Sequence, residues 1–301
     1  MKSQIKIGCR PSKLAVKQAE LIQKSLKENF PHLNIIIQTY KSTGDLYQTS
    51  TFSKLGKNIF IKTLEEKLLS HEVDLLVHSL KDVTAVVHKD LVLCGVCQPE
   101  SNRDCLILHP KHRPLTSLTD LPFRAKIGTA SLRRKAQLLY QRNDLQIQPI
   151  RGNIDSRLKK LESENLDAIM LAEAGLNRLN LQQKNQFNLD AINFIPAPNQ
   201  GLLGLEIRKN DSELEKICQP IILKKESEHA RLQMNILHQL NFSCDYPFGS
   251  FIEETPTKKA YHYFVSDPTL SQSITSSIHL QNIAKKDWET TILKTLKSKI
   301  S

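Results

Sequence analysis

The 301-residue sequence has no apolar run near the length of about 20 residues that a membrane-spanning helix requires. It contains none of the patterns GxxxxGKS, GxxxxGKT, GxGxxG and HExxH, so nothing in it points to a P-loop, a dinucleotide-binding turn or a zincin. Its first ten residues, MKSQIKIGCR, lack the apolar core of a signal peptide, and we interpret them as mature sequence. With 40% hydrophobic and 24% charged residues, the composition predicts a soluble globular protein of two or three domains.

Cysteine is scarce and scattered, with six residues over the whole chain and no compact disulfide framework. This usage favours a reducing, cytoplasmic location. Cys94 and Cys97 form one CxxC pattern inside an apolar stretch without a second pair. We therefore interpret both as core residues and expect no metal site.

Charge of one sign is in excess. Lys plus Arg is 42 and Asp plus Glu is 31, so the formal net charge is 42 − 31 = +11. The surplus favours an anionic partner such as a nucleic acid, an acidic lipid or a polycarboxylate, or it is simply a basic surface. The basic residues stand at separate strand ends and not in a stripe with stacking aromatics, so we expect no nucleic acid partner. The lack of a long apolar run leads us to expect no membrane partner.

Strand and helix patterns alternate over the first two hundred residues, which predicts an α/β fold with a largely parallel sheet. Ser12 precedes an apolar 4, 3, 4 spacing and is the predicted N-cap of the first helix. Residues 98–104 and 195–201 are the first and second linkers between two α/β units. Ligands of such sheets bind beyond the carboxyl ends of the strands. The predicted strands are 4–8, 34–40, 73–77, 91–97, 125–128, 146–150 and 167–172.

The C-terminal part of the sequence follows a different pattern. A helix is predicted over 225–240, two strands follow, and a last helix is predicted over 286–299. This predicts a small additional α+β domain.

Basic residues recur where predicted strands end. In GTASLRR, Arg133 and Arg134 fall in the first turn of a helix, whose N-terminus is already positive. Two arginines are unfavourable there unless an anion lies between them; the alternative is a solvated pair of side chains. Guanidinium groups at strand ends suit a ligand with paired carboxylates, which they bind in a bidentate manner.

The segment VDLLVHSLKDV, residues 73–83, brings a histidine, a serine, a lysine and an aspartate to the end of an apolar strand. Asp82 is a carboxylate among cations, and we expect a carboxylate in a positive cleft to stay ionised. It can hold a transient cation or transfer a proton. The alternatives are a salt bridge to Lys81 or to an arginine, and a cap for the following turn.

Nine motifs in a fixed order carry a resemblance. They are RPSKLA (10–15), TGD (43–45), HSLKD (78–82), RD (103–104), GTASLRR (128–134), RGN (151–153), AGLNRL (174–179), NQG (199–201), and Cys244 with Pro247, Gly249 and Ser250. With them the sequence resembles the porphobilinogen deaminase family, also called hydroxymethylbilane synthases, along nearly its whole length. The resemblance implies a tetrapyrrole biosynthesis enzyme that condenses four porphobilinogen molecules into hydroxymethylbilane, releases ammonia, and uses a dipyrromethane cofactor.

The resemblance also implies roles for single residues. Asp82 is expected to be the catalytic carboxylate, and Cys244 is expected to carry the cofactor through a thioether. Lys81, Asp82, Ser131, Arg133 and Arg134 are expected to contact the cofactor. The carboxylates of porphobilinogen and its oligomers are expected to bind the remaining cations: Arg10, Lys54, Lys57, Arg151, Arg157 and Arg178.

The fold that the resemblance implies has two α/β domains like those of type II periplasmic binding proteins, and a small C-terminal α+β domain. The chain is expected to return to the first domain after the second linker. The predicted domains are therefore 1–98 with 201–219, then 104–195, then 220–301, the last with the cofactor cysteine. The implied protein is a cytoplasmic monomer.

The sequence departs from the family pattern at a few positions: Phe242-Ser243 for two glycines, Gln233-Met234 for a Glu-Arg pair, Asn199 for glycine and Thr84 for proline. Glycine gives a backbone freedom that other residues lack. These departures leave an alternative function open. It is a divergent homologue that binds anionic pyrroles or other polycarboxylates without efficient cofactor loading or turnover.

Overall fold

The structure of the chain is a computed structural model. It describes residues 2–41, 56–83, 87–112, 114–243 and 245–300, with the backbone alone for 56–60. Lys54, Thr84, Cys244 and the motif at 43–45 lie outside the described residues, as does the side chain of Lys57. The chain divides into two compact units: the first is Met1–Glu100 with Leu202–Arg231, and the second is Ser101–Gly201 with Leu232–Ser301.

The regular elements follow the predicted alternation. The strands of the described residues are β1 Gln4–Cys9, β2 Asn34–Thr39, β3 Leu75–Ser79, β4 Leu91–Cys97, β5 Asp104–Leu108, β6 Lys126–Gly128, β7 Gln146–Gln148, β8 Ala168–Ala172, β9 Gln186–Asn188, β10 Leu203–Arg208, β11 Phe248–Glu254, β12 Lys259–Ser266 and β13 Ser273–His279. The helices are α1 Lys13–Asn29, α2 Gly56–Leu69, α3 Leu132–Gln141, α4 Ile154–Ser163, α5 Glu173–Leu179, α6 Ser212–Cys218, α7 Lys224–Gln239 and α8 Trp288–Ile300.

The sheet of the first unit has the strand order β2-β1-β3-β10-β4. β1 is parallel to β2 and β3, whereas β10 is antiparallel to β3 and β4. The predicted α/β class is confirmed, but the expectation of a largely parallel sheet is wrong for β10. It runs the other way because the second linker delivers it to the edge where β3 and β4 end, with Leu203 opposite Ser79 and Cys97.

The second unit contains a sheet of the same kind, with the order β7-β6-β8-β5-β9. β6 is parallel to β7 and β8, and β5 is antiparallel to β8 and β9. β5 begins at Asp104, which pairs with Ala172 and is 0% exposed. The prediction that the first linker extends to residue 104 is therefore wrong at its last residue, which is buried in a strand.

Local signals and burial agree in the first helix. The Ser12 hydroxyl accepts a hydrogen bond from the backbone N–H of Ala15, so Ser12 is the predicted N-cap. Ala19, Ile22 and Leu26 are each 0% exposed and pack in the core of the first unit. Burial of a side chain the size of Ile22 or Leu26 stabilises the fold by roughly 1.5–3 kcal/mol.

The C-terminal strands β11, β12 and β13 form an antiparallel sheet. Trp288, Ile292 and Leu296 of α8 pack against its buried face in one hydrophobic cluster. Phe264 of β12 packs instead against Ala136 and other residues of the second unit. Every helix of the described ranges is too short or too polar to cross a membrane.

Candidate active site

The end of β3 carries the polar side chains that its sequence predicts. His78 is buried, and its Nε2 lies 2.9 Å from Oε2 of Glu206, which is 1% exposed. The Ser79 hydroxyl lies 2.7 Å from Nε2 of Gln18, a buried side chain of α1. These contacts fix the last two residues of β3 from two neighbouring elements.

The turn after β3 places one carboxylate in the open. Leu80 is 2% exposed, and its N–H donates to the carbonyl of Leu202 at 3.0 Å. Gly204 makes room for it, since a Cβ there would lie 2.8 Å from Cδ1 of Leu80. A 3-10 turn over Leu80–Asp82 then leaves Lys81 half-buried and Asp82 exposed. Asp82 is thus exposed to solvent on a turn that the buried Leu80 anchors.

Arg10 lies at the same edge of this sheet as Asp82. β1 and β3 are parallel, with Gly8 opposite Leu76, so their carboxyl ends coincide. Arg10 follows the end of β1 and is half-buried. The first unit therefore presents a guanidinium and a carboxylate at one sheet edge.

The carboxyl ends of β6, β7 and β8 likewise share one edge in the second unit. Ser131 caps α3 there, because its hydroxyl accepts from the N–H of Arg134. The guanidinium groups of Arg133 and Arg134 turn inward: the two residues are 5% and 6% exposed. The alternative of a solvated arginine pair is therefore wrong.

The anion between the two arginines is Asp104. Nη1 of Arg133 donates to its Oδ2 at 2.7 Å, and Nη2 of Arg134 donates to its Oδ1 at 2.8 Å. Burial alone raises the pKa of the Asp104 carboxyl, but the two guanidinium groups outweigh burial and hold that pKa well below its usual range. Asp104 is thus a buried carboxylate that stays ionised.

The second linker is bound to this cluster. Gln200 donates from Nε2 to Oδ1 of Asp104 at 2.9 Å and to the carbonyl of Asn102 at 2.7 Å, which joins the two linkers. Nη1 of Arg133 also donates to the carbonyl of Ile195 at 2.7 Å. The arginines that the sequence singled out therefore contact both a carboxylate and linker backbone.

The other predicted basic residues of the second unit differ in exposure. Arg151, after β7, is exposed. Arg157 is half-buried, and its Nε donates to the carbonyl of Gly152 at 2.8 Å. Arg178 in α5 is 8% exposed, and its Nη2 donates to the carbonyl of Gly201 at 2.6 Å. Arg151 is the most accessible of these three cations.

Sequence reasoning missed the residues that hold the predicted ones. Asp104, Gln200, Gln18 and Glu206 were not singled out as site residues, yet each bonds to a predicted motif. One signal could have indicated Asp104: two adjacent arginines at a helix N-terminus are unfavourable unless an anion lies between them. Gln200 lies in the NQG motif but was given no role of its own, and no local pattern marks Gln18 or Glu206, because their partners are distant in sequence.

Aromatic side chains on either side of residue 244 pack against one another. The rings of Phe242 and Tyr246 are stacked, with centroids 3.8 Å apart and an interplanar angle of 11°. Phe242 also packs at 5.3 Å from Phe248. The side chain of Phe242 is thus held by aromatic packing.

Each α/β sheet presents cationic and polar side chains at the edge where its parallel strands end, which is typical of an α/β protein that binds an anionic ligand. The family model described as "Porphobilinogen deaminase, dipyromethane cofactor binding domain" matches residues 5–216. The chain belongs to the porphobilinogen deaminase family. It is accordingly an enzyme, a transferase of porphyrin and heme biosynthesis whose cofactor is a dipyrromethane.

Relatives named porphobilinogen deaminase support this assignment over most of their length. The protein of Clostridium novyi (strain NT) is 40% identical over 250 residues, covering 82% of both chains. That of Limosilactobacillus reuteri (strain DSM 20016) is 41% identical over 251 residues, covering 83% of this chain and 81% of the relative.

Solved structures that resemble the chain include periplasmic domains. The aliphatic sulphonate binding protein SsuA of Escherichia coli is 16% identical, with a TM-score of 0.44 and coverage of 80% of this chain and 71% of that one. The BvgS periplasmic VFT2 domain of Bordetella pertussis is 12% identical, with a TM-score of 0.45 and coverage of 77% and 92%.

Proposed function

We propose that the chain condenses four porphobilinogen molecules head to tail into hydroxymethylbilane, on a dipyrromethane primer that Cys244 holds through a thioether. In each addition the carbon–nitrogen bond of the substrate's aminomethyl group breaks, the amino group leaves as ammonia, and the remaining methylene carbon bonds to the free α-carbon of the acceptor pyrrole, which loses a proton. Water then releases the finished tetrapyrrole as hydroxymethylbilane. The observation that most supports this reaction is the exposed carboxylate of Asp82 on a turn anchored by Leu80.

Asp82 acts on the substrate as a fixed anion. Departure of ammonia leaves a cationic pyrrole, and a carboxylate in place stabilises that charge as it develops. The same group can accept a proton and return it. Because the turn is held at Ser79 and Leu80, the carboxylate needs little rearrangement to act.

The donor set fits a ligand that accumulates carboxylates. Each porphobilinogen carries an acetate and a propionate, and guanidinium and ammonium groups bind carboxylates through charge-assisted hydrogen bonds. A guanidinium has five N–H donors, so the bonds to Asp104 leave Arg133 and Arg134 with further donors. When bound, the cofactor supplies the pyrrole end to which new units are joined.

The place of each residue in the sequence motifs assigns its binding role. Lys81, Asp82, Ser131, Arg133 and Arg134 hold the cofactor. The substrate carboxylates bind to Arg10, Lys54, Lys57, Arg151, Arg157 and Arg178. The enzyme is a cytoplasmic monomer in this proposal, and its ligands are porphobilinogen and its oligomers and no nucleic acid.

Intact-mass measurement of the purified protein, with a peptide map around residue 244, tests the proposal. An adduct with the mass of a dipyrromethane on that peptide, with steady ammonia release from porphobilinogen, is the expected result. Cys244→Ser is the control and is expected to carry no adduct. An unmodified cysteine and no ammonia after incubation with porphobilinogen would overturn the proposal in favour of a homologue that only binds anionic pyrroles.

A further inference from the structure

A buried hydrogen bond joins helix α7 to the second linker. Nε2 of Gln233, in α7, donates to Oδ1 of Asn199, in the second linker, at 2.7 Å. Both residues are 5% exposed. A residue without a polar side chain at either position would leave the other buried amide without this partner, so the two residues complete each other.

The backbone explains why asparagine is tolerated at 199. The N–H of Gln200 donates to the carbonyl of Ala197 at 3.0 Å, which closes a turn with Pro198 and Asn199 at its centre. Asn199 has φ +61°, and a turn with proline first and a positive φ second accepts glycine or asparagine. Asparagine therefore keeps the turn and adds an acceptor.

The contact extends into the C-terminal sheet. The Ser250 hydroxyl of β11, 0% exposed, donates to Oε1 of Gln233 at 2.9 Å. The Ser250 N–H donates to the carbonyl of Pro196 at 3.0 Å. Helix α7 and strand β11 thus each form a hydrogen bond to the second linker. Both polar atoms of the Gln233 side chain have hydrogen-bond partners within the protein and need no water.

The same linker carries the backbone that the basic cluster contacts. Its Ile195 carbonyl accepts from Arg133, its Gly201 carbonyl accepts from Arg178, and its Gln200 side chain donates to Asp104. Whatever holds residues 195–201 in place therefore also holds these arginines. Buried hydrogen-bond chains of this kind specify one arrangement when every member is satisfied.

We propose that Asn199 and Gln233 are a matched pair of positioning residues, which fix the second linker and through it Arg133 and Arg178. This inference rests on the proposed function, because those arginines are there assigned to carboxylate binding. It predicts that loss of the pair weakens the binding of substrate more than it slows the chemistry at Asp82.

A double-mutant cycle with Asn199→Gly and Gln233→Met tests the pair. Glycine preserves the positive φ, and methionine preserves the length of the side chain without its donor. Each single variant is expected to raise KM for porphobilinogen about fivefold with kcat within about twofold, and the double variant is expected to be no worse than either single one. Asn165→Gly, at another positive-φ asparagine that is exposed, is the control and is expected to leave KM unchanged.

Urea unfolding of the same four proteins separates the inference from the proposed function. Non-additive loss of stability shows the pairing even if the wild-type protein releases no ammonia. Additive unfolding effects would overturn the pairing. Non-additive unfolding with an unchanged KM would overturn the positioning role and leave a structural contact alone.

Discussion

Two nitrogens of Arg134, Nε and Nη2, lie 3.1 and 2.8 Å from Oδ1 of Asp104 at the carboxyl-end edge of the second sheet. Arg133 completes the cluster from the same helix turn. A buried carboxylate between two guanidinium groups is costly to disrupt, because loss of one partner leaves charge without compensation in a medium of low dielectric constant.

Asp104→Asn is expected to lower the free energy of unfolding by about 3–5 kcal/mol at pH 7. The pKa of Asp104 is depressed in the folded state. Its contribution is therefore fully present above the usual aspartate pKa of about 4 and is lost progressively as pH falls toward the folded value. Urea unfolding from pH 7 to pH 3 should show the gap to wild type narrowing below about pH 4. Asp90→Asn, at an exposed carboxylate, should follow the wild type throughout. A difference in unfolding free energy between Asp104→Asn and the wild type that is as large at pH 3 as at pH 7 would contradict the assignment.

Asp82→Asn is expected to reduce kcat by about 100-fold or more, because the amide keeps the shape of the side chain and removes the charge that stabilises the cationic transition state. Asp82 is exposed, so unfolding should be nearly unchanged. Ammonia release under saturating porphobilinogen measures the effect. Asp90→Asn is the control and should be fully active. Full activity of Asp82→Asn as well would contradict the proposed catalytic role of Asp82.

Arg151→Ala is expected to raise KM for porphobilinogen by about tenfold or more, since one charge-assisted hydrogen bond to a substrate carboxylate is lost. The side chain is exposed, so folding should not suffer. Initial rates over a range of porphobilinogen concentrations check this. Lys184→Ala removes a charge from another exposed site and should leave KM unchanged; an equal rise in both variants would mean that net charge alone is responsible.

Gly249→Ala is expected to destabilise the protein by about 1–3 kcal/mol, because the new Cβ meets backbone atoms that have little room to move. It would lie 2.7 Å from the carbonyl oxygen of Pro196 and 2.8 Å from that of Ile195. Gly204→Ala is the matched comparison, since its Cβ would meet the ends of the Leu80 and Leu93 side chains, which can shift. Thermal unfolding should show a larger loss of stability for Gly249→Ala than for Gly204→Ala. The reverse order would show that the backbone at residues 195 and 196 moves to accommodate the new Cβ.

Elements with strong local signals were predicted well. Helix α1 has an N-cap at Ser12 and a regular apolar spacing, and both are local properties that the folded chain retains. Strand β9 and helix α5 were not predicted, since Gln186–Asn188 and Glu173–Leu179 are short and their apolar spacing is brief. Strand β5 was missed although residues 105–108 form an apolar run. Its first residue, Asp104, could not be placed from the sequence, because only its arginine partners make the burial of that carboxylate favourable.

The sequence by itself determined the α/β alternation, the positions of the basic motifs at strand ends and the placement of Asp82 after a buried strand, because each depends on residues close together in the chain. It also indicated an anion beside Arg133 and Arg134, with a solvated pair of side chains as the alternative. Tertiary structure alone decided that this anion is Asp104 and that Asn199 meets Gln233, which lies 34 positions away in the sequence. Such pairs form only when strand pairing and helix packing bring distant segments within hydrogen-bonding distance, and no local pattern specifies that encounter.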